Sequence, residues 1–191
     1  MISVSICKYP GSNISLSNLY ELDIRRHLCT FYHELAQICR SIEKIYISIY
    51  EEISGIAELI EMQKQIKYIF IDKYHKCKKI NQALEKTSID IIQNTNGSLC
   101  KIKIKLASSD RAKEYNQSIH KYCPNIKYVT VFLTREGTLE ELEKIFINCQ
   151  HLVAIDIDEQ IMDKYYDKFL DLLVELAPFT LYKNSYWFYS I

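Results

Sequence analysis

One short phrase recurs six times along this chain: an aliphatic residue, two others, an aliphatic, one other, an aliphatic. The copies are Leu19-Leu22-Ile24, Ile42-Ile45-Ile47, Ile66-Ile69-Ile71, Leu99-Ile102-Ile104, Ile126-Val129-Val131 and Leu152-Ile155-Ile157. Their first residues lie 23, 24, 33, 27 and 26 positions apart. Apart from one stretched gap, this is the roughly 20–29-residue period of leucine-rich repeats, in which each copy supplies one strand to a parallel sheet. The aliphatics of a phrase alternate at period 2, so a strand built on them buries one face and turns the residues between them the other way.

Helical spacing fills the intervals. Leu35, Ile38 and Cys39 precede Ile42; Ile56, Leu59 and Ile60 precede Ile66. Ile119 and Tyr122 precede Ile126; Leu142, Ile145 and Phe146 precede Leu152. Short strands alternating with helices predict an α/β fold with a parallel sheet and right-handed crossovers. A single unit cannot cover its own apolar face, so units must stack. The expected architecture is a leucine-rich-repeat solenoid arc over residues 16–191, with the sheet on the concave face and the helices on the convex face. Residues 1–15 form an N-terminal segment. The stretched gap predicts an oversized or irregular repeat at 72–98, with a helix from about Ile80 to Gln93. Leu170, Leu173, Leu176 and Ala177 predict a final helix stopped by Pro178. Residues 178–191, with Tyr182, Tyr186, Trp187 and Tyr189, form a degenerate cap, as terminal repeats are usually atypical.

Bulk properties exclude several function classes. Of 191 residues, 48% are hydrophobic and 25% charged, the composition of a folded domain. Lys plus Arg equals Asp plus Glu at 24 each, so no net charge draws the chain to nucleic acid or an anionic membrane. No run approaches the ~18 uncharged apolar residues of a membrane span. The seven cysteines are odd in number and not closely paired, and no signal peptide is visible, which together predict free thiols in an intracellular, reducing compartment. The N-x-S/T triplets at Asn13, Asn96 and Asn116 then read as chance matches.

Cys39, Cys123 and Cys149 each stand three residues before the first aliphatic of their phrase. Small, weakly polar cysteine suits a tight bend between helix and strand, so these three are expected to be structural. No G-x-G-x-x-G, P-loop, G-x-S-x-G or H-E-x-x-H motif occurs. His27, Cys29 and His33, His75 with Cys77, and His120 with Cys123 lack the paired spacing of a zinc site. No metal, cofactor or catalytic residue is assigned. An alternative is a small α/β enzyme using a Cys/His site, for which Cys29, His33, His75 and Cys77 are the candidates; a further alternative is a truncated, non-functional fragment.

The register places Glu21, Asp23, Arg25, Lys44, Tyr46, Ser48, Tyr68, Phe70 and Asp72 on the face away from the helices. Lys101, Lys103, Lys105, Tyr128, Thr130, Phe132, Ala154, Asp156 and Asp158 continue it. Tyrosine and phenylalanine on an open face bury much area at small rotamer cost, which is what protein-binding surfaces favour. The predicted protein-binding face is Tyr46, Tyr68, Phe70, Lys101, Lys103, Tyr128 and Phe132.

The wording of several phrases carries a resemblance. Leu19-Tyr-Glu-Leu-Asp-Ile24, Cys39-x-x-Ile42-x-x-Ile45, Ser54-Gly-Ile-Ala57, Asn94-Thr-Asn-Gly-Ser-Leu99, Cys123-Pro-Asn-Ile-Lys-Tyr128 and Ile147-Asn-Cys-Gln-x-Leu152 resemble the F-box-like leucine-rich-repeat proteins expanded in some fungi. The likeness runs from about Leu16 to Pro178. It implies the repeat region of a ubiquitin-ligase substrate receptor, in which the repeats select a target protein. An F-box, with its leading Leu-Pro dipeptide and helical module, is not visible. A ubiquitin-ligase adaptor is therefore a partner only if an F-box lies outside this chain, and neither nucleic acid nor membrane is expected.

Overall fold

All six aliphatic phrases run into the strands of one sheet. The computed structural model describes residues 10–24, 32–49, 55–63, 65–73, 86, 88–95, 97–104, 111–134, 138–159 and 166–181. In chain order the elements are α1 (Ser12–Ser17), β1 (Glu21–Ile24), α2 (Tyr32–Ile38), β2 (Lys44–Ile49), α3 (Ile56–Glu61) and β3 (Tyr68–Lys73). There follow α4 (residues 88–94), β4 (Lys101–Ile104), α5 (Ala112–Tyr122), β5 (Tyr128–Leu133), α6 (Leu139–Asn148), β6 (Ala154–Glu159) and α7 (Tyr166–Leu176). The expected α/β class with a parallel sheet is what the chain forms.

Among the described residues the sheet has six parallel strands in the order β1-β2-β3-β4-β5-β6, which is sequence order without reversal. Its register follows the repeat. Leu22 pairs with Ile45, Ile45 with Ile69, Ile69 with Ile102, Ile102 with Val129 and Val129 with Ile155, making one aliphatic row across every strand. Except for Leu19 and Leu22 of the first phrase, which are partly buried, every aliphatic of the six phrases is buried. The helices cover that side: α2 packs on α3, α5 on α6 and α6 on α7.

The units are also joined where the chain enters each strand. The carbonyls of Tyr20, Glu43, Lys67, Cys100 and Lys127 each accept hydrogen bonds from two successive amides of the next unit, at 2.8–3.2 Å. Just upstream, a second column of bonds links the bends between helix and strand. Cys39 Sγ donates to the carbonyl of Leu16 (3.0 Å), and Gln63 Nε2 to that of Cys39 (2.9 Å). Ser98 Oγ donates to the carbonyl of Ile66 (2.9 Å), and Cys149 Sγ donates to the carbonyl of Cys123 (3.5 Å). Thr180 Oγ1 donates to the carbonyl of Leu152 at 2.6 Å. The cysteines expected to be structural are buried at these bends, with Gln63 in the same position of its unit. Cys39, Gln63 and Cys149 each satisfy a carbonyl of the preceding unit that would otherwise lack a partner.

Two details differ from the expected pattern, and a third expectation is met as far as the described residues reach. In α5 the inward residues are Tyr115 and Ile119, while Tyr122 is exposed, because the helix ends there and the chain turns at Cys123. In α7 the anchor is Phe169 (2% exposed) rather than Leu170 (39%). Residues 88–94 of the helix expected in the stretched unit are helical and bury Ile89, Ile91 and Ile92, whereas residues 80–85 lie outside the described ones. The aromatic cap residues Tyr182, Tyr186, Trp187 and Tyr189 lie outside them too. No helix among the described residues is long and apolar enough to cross a membrane.

Candidate protein-binding face

The side of the sheet opposite the helices carries two rows of side chains set by the register. The first row is Glu21, Lys44, Tyr68, Lys101, Tyr128 and Ala154, one from each strand. Across β1–β4 the second runs Asp23, Tyr46, Phe70 and Lys103, and across β5–β6 it runs Thr130 and Asp156. Lysine and tyrosine alternate in the first row, and the contacts follow. The Lys44 ammonium lies 5.1 Å from the Tyr20 ring centre and 5.7 Å from that of Tyr68, and that of Lys101 lies 4.9 Å from Tyr128. Such cation–π contacts are each worth ~0.5–1 kcal/mol at exposed sites and hold aromatic rings in place. In the second row the Tyr46 and Phe70 rings meet at 6.2 Å, tilted by 43°.

The charges are mostly paired. Lys44 Nζ lies 3.5 Å from Glu21, Lys103 Nζ 3.2 Å from Asp156, and Lys67 Nζ 2.8 Å from Glu43 at the strand starts. The hydrogen bond from Lys67 holds the Glu43 carboxyl below its ordinary value, and the same bond raises Lys67. Burial works against the charge on Lys44, but Tyr20 and Glu21 outweigh it and its pKa is raised. Lys101 makes no ion pair among the described residues.

Among the described residues, depressions lie on this face. One of about 320 Å³ is lined by Lys44, Tyr46, Tyr68, Phe70 and Lys101 together with the strand backbone. Another, of about 490 Å³, lies over β4, β5 and β6 and is lined by Lys101, Lys103, Tyr128, Thr130, Ala154 and Asp156.

Six of the seven predicted face residues, Tyr46, Tyr68, Phe70, Lys101, Lys103 and Tyr128, are brought together here and are exposed or half-buried. The seventh, Phe132, is a correction: it is 5% exposed and belongs to the core. Its ring meets the Tyr115 ring of α5 edge-on at 5.1 Å. Asn116 of α5 also clasps its backbone, donating to the Phe132 carbonyl at 2.8 Å and accepting from its amide at 3.3 Å. Thr130, also expected on the open face, is buried, and its Oγ1 accepts from the amide of Ile104 at 3.3 Å. The described β4–β5 pairing stops at Ile102 and Val129, and the end of β5 is drawn toward α5. Of the wider face, Lys105 and the side chains of Arg25, Asp72 and Asp158 lie outside the described residues.

Of the Cys/His candidates only His33 is described. It is exposed, and its Nδ1 contacts the Glu58 carboxylate of α3. Cys29, His75 and Cys77 lie outside the described residues. Gly55, at φ +85°, lets α3 start against His33, since a Cβ there would fall 2.8 Å from the His33 amide nitrogen. Among the described residues no group of three or more His, Cys, Asp or Glu side chains is placed to hold a metal ion.

A polar cluster that sequence patterning missed lies between α5 and α6. Glu141 is buried and accepts from Gln117 Nε2 (3.1 Å) and Lys144 Nζ (3.2 Å), and lies 2.9 Å from His120 Nε2. Burial alone would raise its carboxyl pKa, but these bonds outweigh burial and hold it below the ordinary value. Its place between two helices, away from the open face, gives it the part of a clamp between units. No protein-family model matches the chain, and no curated protein matches it by sequence.

Proposed function

We infer that this chain is a non-enzymatic protein-recognition module, a leucine-rich-repeat arc that presents the open face of its sheet to a partner. One observation carries the reading: six parallel strands in sequence order bury their aliphatic rows on one side and gather Tyr46, Tyr68, Phe70, Lys101, Lys103 and Tyr128 on the other. Sequence-order strands with helices on one side are what stacked repeats require. A doubly wound α/β enzyme instead reverses its strand order, and its ligand crevice lies at the reversal. The aromatic rings here are braced by lysines, so a partner that buries them loses little rotamer entropy.

The resemblance to F-box-like leucine-rich-repeat proteins suggests a class of partner, a protein selected for ubiquitination. The recognition face stands on the sheet itself and does not depend on that class.

The test is affinity capture with the intact chain and with a Tyr68→Ala/Tyr128→Ala double variant of unchanged melting temperature. The reading expects specific partners in the first sample and their loss in the second. Equal capture by both would count against the face.

A further inference from the structure

The first row of the open face changes size at one step, and the inference built on that step rests on the reading of this face as a partner-binding surface. Glu21, Lys44, Tyr68, Lys101 and Tyr128 are large; the sixth member, Ala154, has a single side-chain carbon. Beside the Tyr128 ring that change leaves a notch, the depression of about 490 Å³. Its size falls in the ~300–1,000 Å³ range of pockets that hold a ligand group. Thr130 contributes to it, because its hydroxyl takes the Ile104 amide at the point where the described β4–β5 pairing ends.

The charges around the notch are unequal. Lys103 and Asp156 are 3.2 Å apart and neutralise each other across it. Lys101, exposed on the same rim, stands over Tyr128 with no carboxylate partner among the described residues. An apolar-walled notch next to an uncompensated cation complements an apolar side chain adjoining an acid. A basic partner group would be repelled by Lys101 and would find Asp156 already paired.

We propose that this depression is the anchor pocket of the open face, and that it takes an apolar side chain next to a carboxylate from an extended acidic segment of a partner protein. The apolar group sits on Ala154 against Tyr128, and the carboxylate meets the Lys101 ammonium. The neighbouring depression around Tyr46 and Phe70 shares Lys101 on its rim but has no counterpart of Ala154: its outward side chains, Lys44, Tyr46, Tyr68 and Phe70, are all large, and Lys44 already lies beside Glu21 and two tyrosine rings.

The test is an amide NMR titration of the full chain with short Gly/Ser peptides that carry a Leu-Glu, a Leu-Lys or a Ser-Glu pair. The Leu-Glu peptide is expected to move the amides of Lys101, Tyr128, Ala154 and Asp156, and the other two to bind more weakly. Ala154→Tyr, which fills the notch, is expected to weaken Leu-Glu binding about ten-fold or more, a loss of about 1.4 kcal/mol. Lys101→Glu is expected to exchange the preference to Leu-Lys, and it carries the test alone if the spectrum of Ala154→Tyr is not that of a folded chain. Equal binding of Leu-Glu and Leu-Lys, shifts confined to Tyr46 and Phe70, or no shift with any peptide would overturn the pocket and leave the recognition face standing. Shifts confined to α5 and α6 would overturn both.

Discussion

Cys149 donates its thiol hydrogen bond to the backbone carbonyl of Cys123, 3.5 Å away, so that the bend of one unit hangs on the bend before it. Burial pushes both thiols up to about 12, and at Cys123 the neighbouring Cys149 adds to the shift. Thiolate is the reactive form, so both cysteines are expected to resist alkylation in the folded chain and to react only as it unfolds. Peptide mapping after brief iodoacetamide treatment at pH 8 checks this, with half-exposed Cys100 as the internal comparison. The sign of the pH effect follows from linkage. The folded pKa lies above the unfolded value of 9.0, so this contribution is whole below about pH 9 and is lost as pH rises toward about 12. Cys149→Ala removes the bond and leaves a small void, an expected cost of about 1–2 kcal/mol in denaturant unfolding.

Glu141 predicts the acid limb. Its folded pKa is held below the unfolded one, so its contribution is present above the ordinary carboxylate range and is lost as pH falls through the folded value. Glu141→Gln is expected to flatten the fall of melting temperature below about pH 5 while lowering stability at pH 7. Glu141→Ala removes the partner of half-buried Gln117 and His120 and is expected to cost about 2 kcal/mol or more. A parental melting curve for either variant across the pH range would contradict the clamp.

The Tyr115 hydroxyl is fully buried and has no hydrogen-bond partner among the described residues, and its pKa is pushed well above the ordinary value by that burial. Tyr115→Phe keeps the ring contact with Phe132 and removes the unsatisfied group. An unsatisfied buried hydroxyl costs about 1–3 kcal/mol, so the variant is expected to be more stable by about 1 kcal/mol. Loss of stability on that change would mean that the hydroxyl has a partner.

Ile104 tests the register. It is buried at the end of β4 in the row with Ile71, so Ile104→Asp places an unpaired carboxylate among aliphatics at a cost of several kcal/mol. The chain is expected to lose its cooperative transition. Melting at the parental temperature would refute the inward register.

Much of this fold was legible because the alternation of Ile45 with Ile47, or Ile155 with Ile157, has one physical reading: a strand with one face buried. The cysteine bends were legible for the same reason, since small apolar residues recur at one offset. Gln63 was hidden among them, because an amide does the work of a thiol by reaching its carbonyls through a longer side chain. Phe132 obeys the period but not the expected exposure. What buries it is tertiary: Asn116 holds its backbone and Tyr115 its ring, and no local pattern reports either contact. Glu141 was equally opaque, since a carboxylate on a helix reads as solvated until Gln117 and His120 of the neighbouring helix are seen to meet it. On the site, Tyr46, Tyr68, Phe70 and Tyr128 followed from register alone, whereas the notch at Ala154 depends on which strands stand side by side.

The proposed recognition face is tested most directly by photo-crosslinking, with benzoylphenylalanine placed at Phe70, at Tyr128 or, on the exposed helical side, at Ile147. The account predicts that positions 70 and 128 yield the same discrete adduct with a captured partner and that position 147 yields none. An adduct from position 147 alone would contradict it and move recognition to the helices.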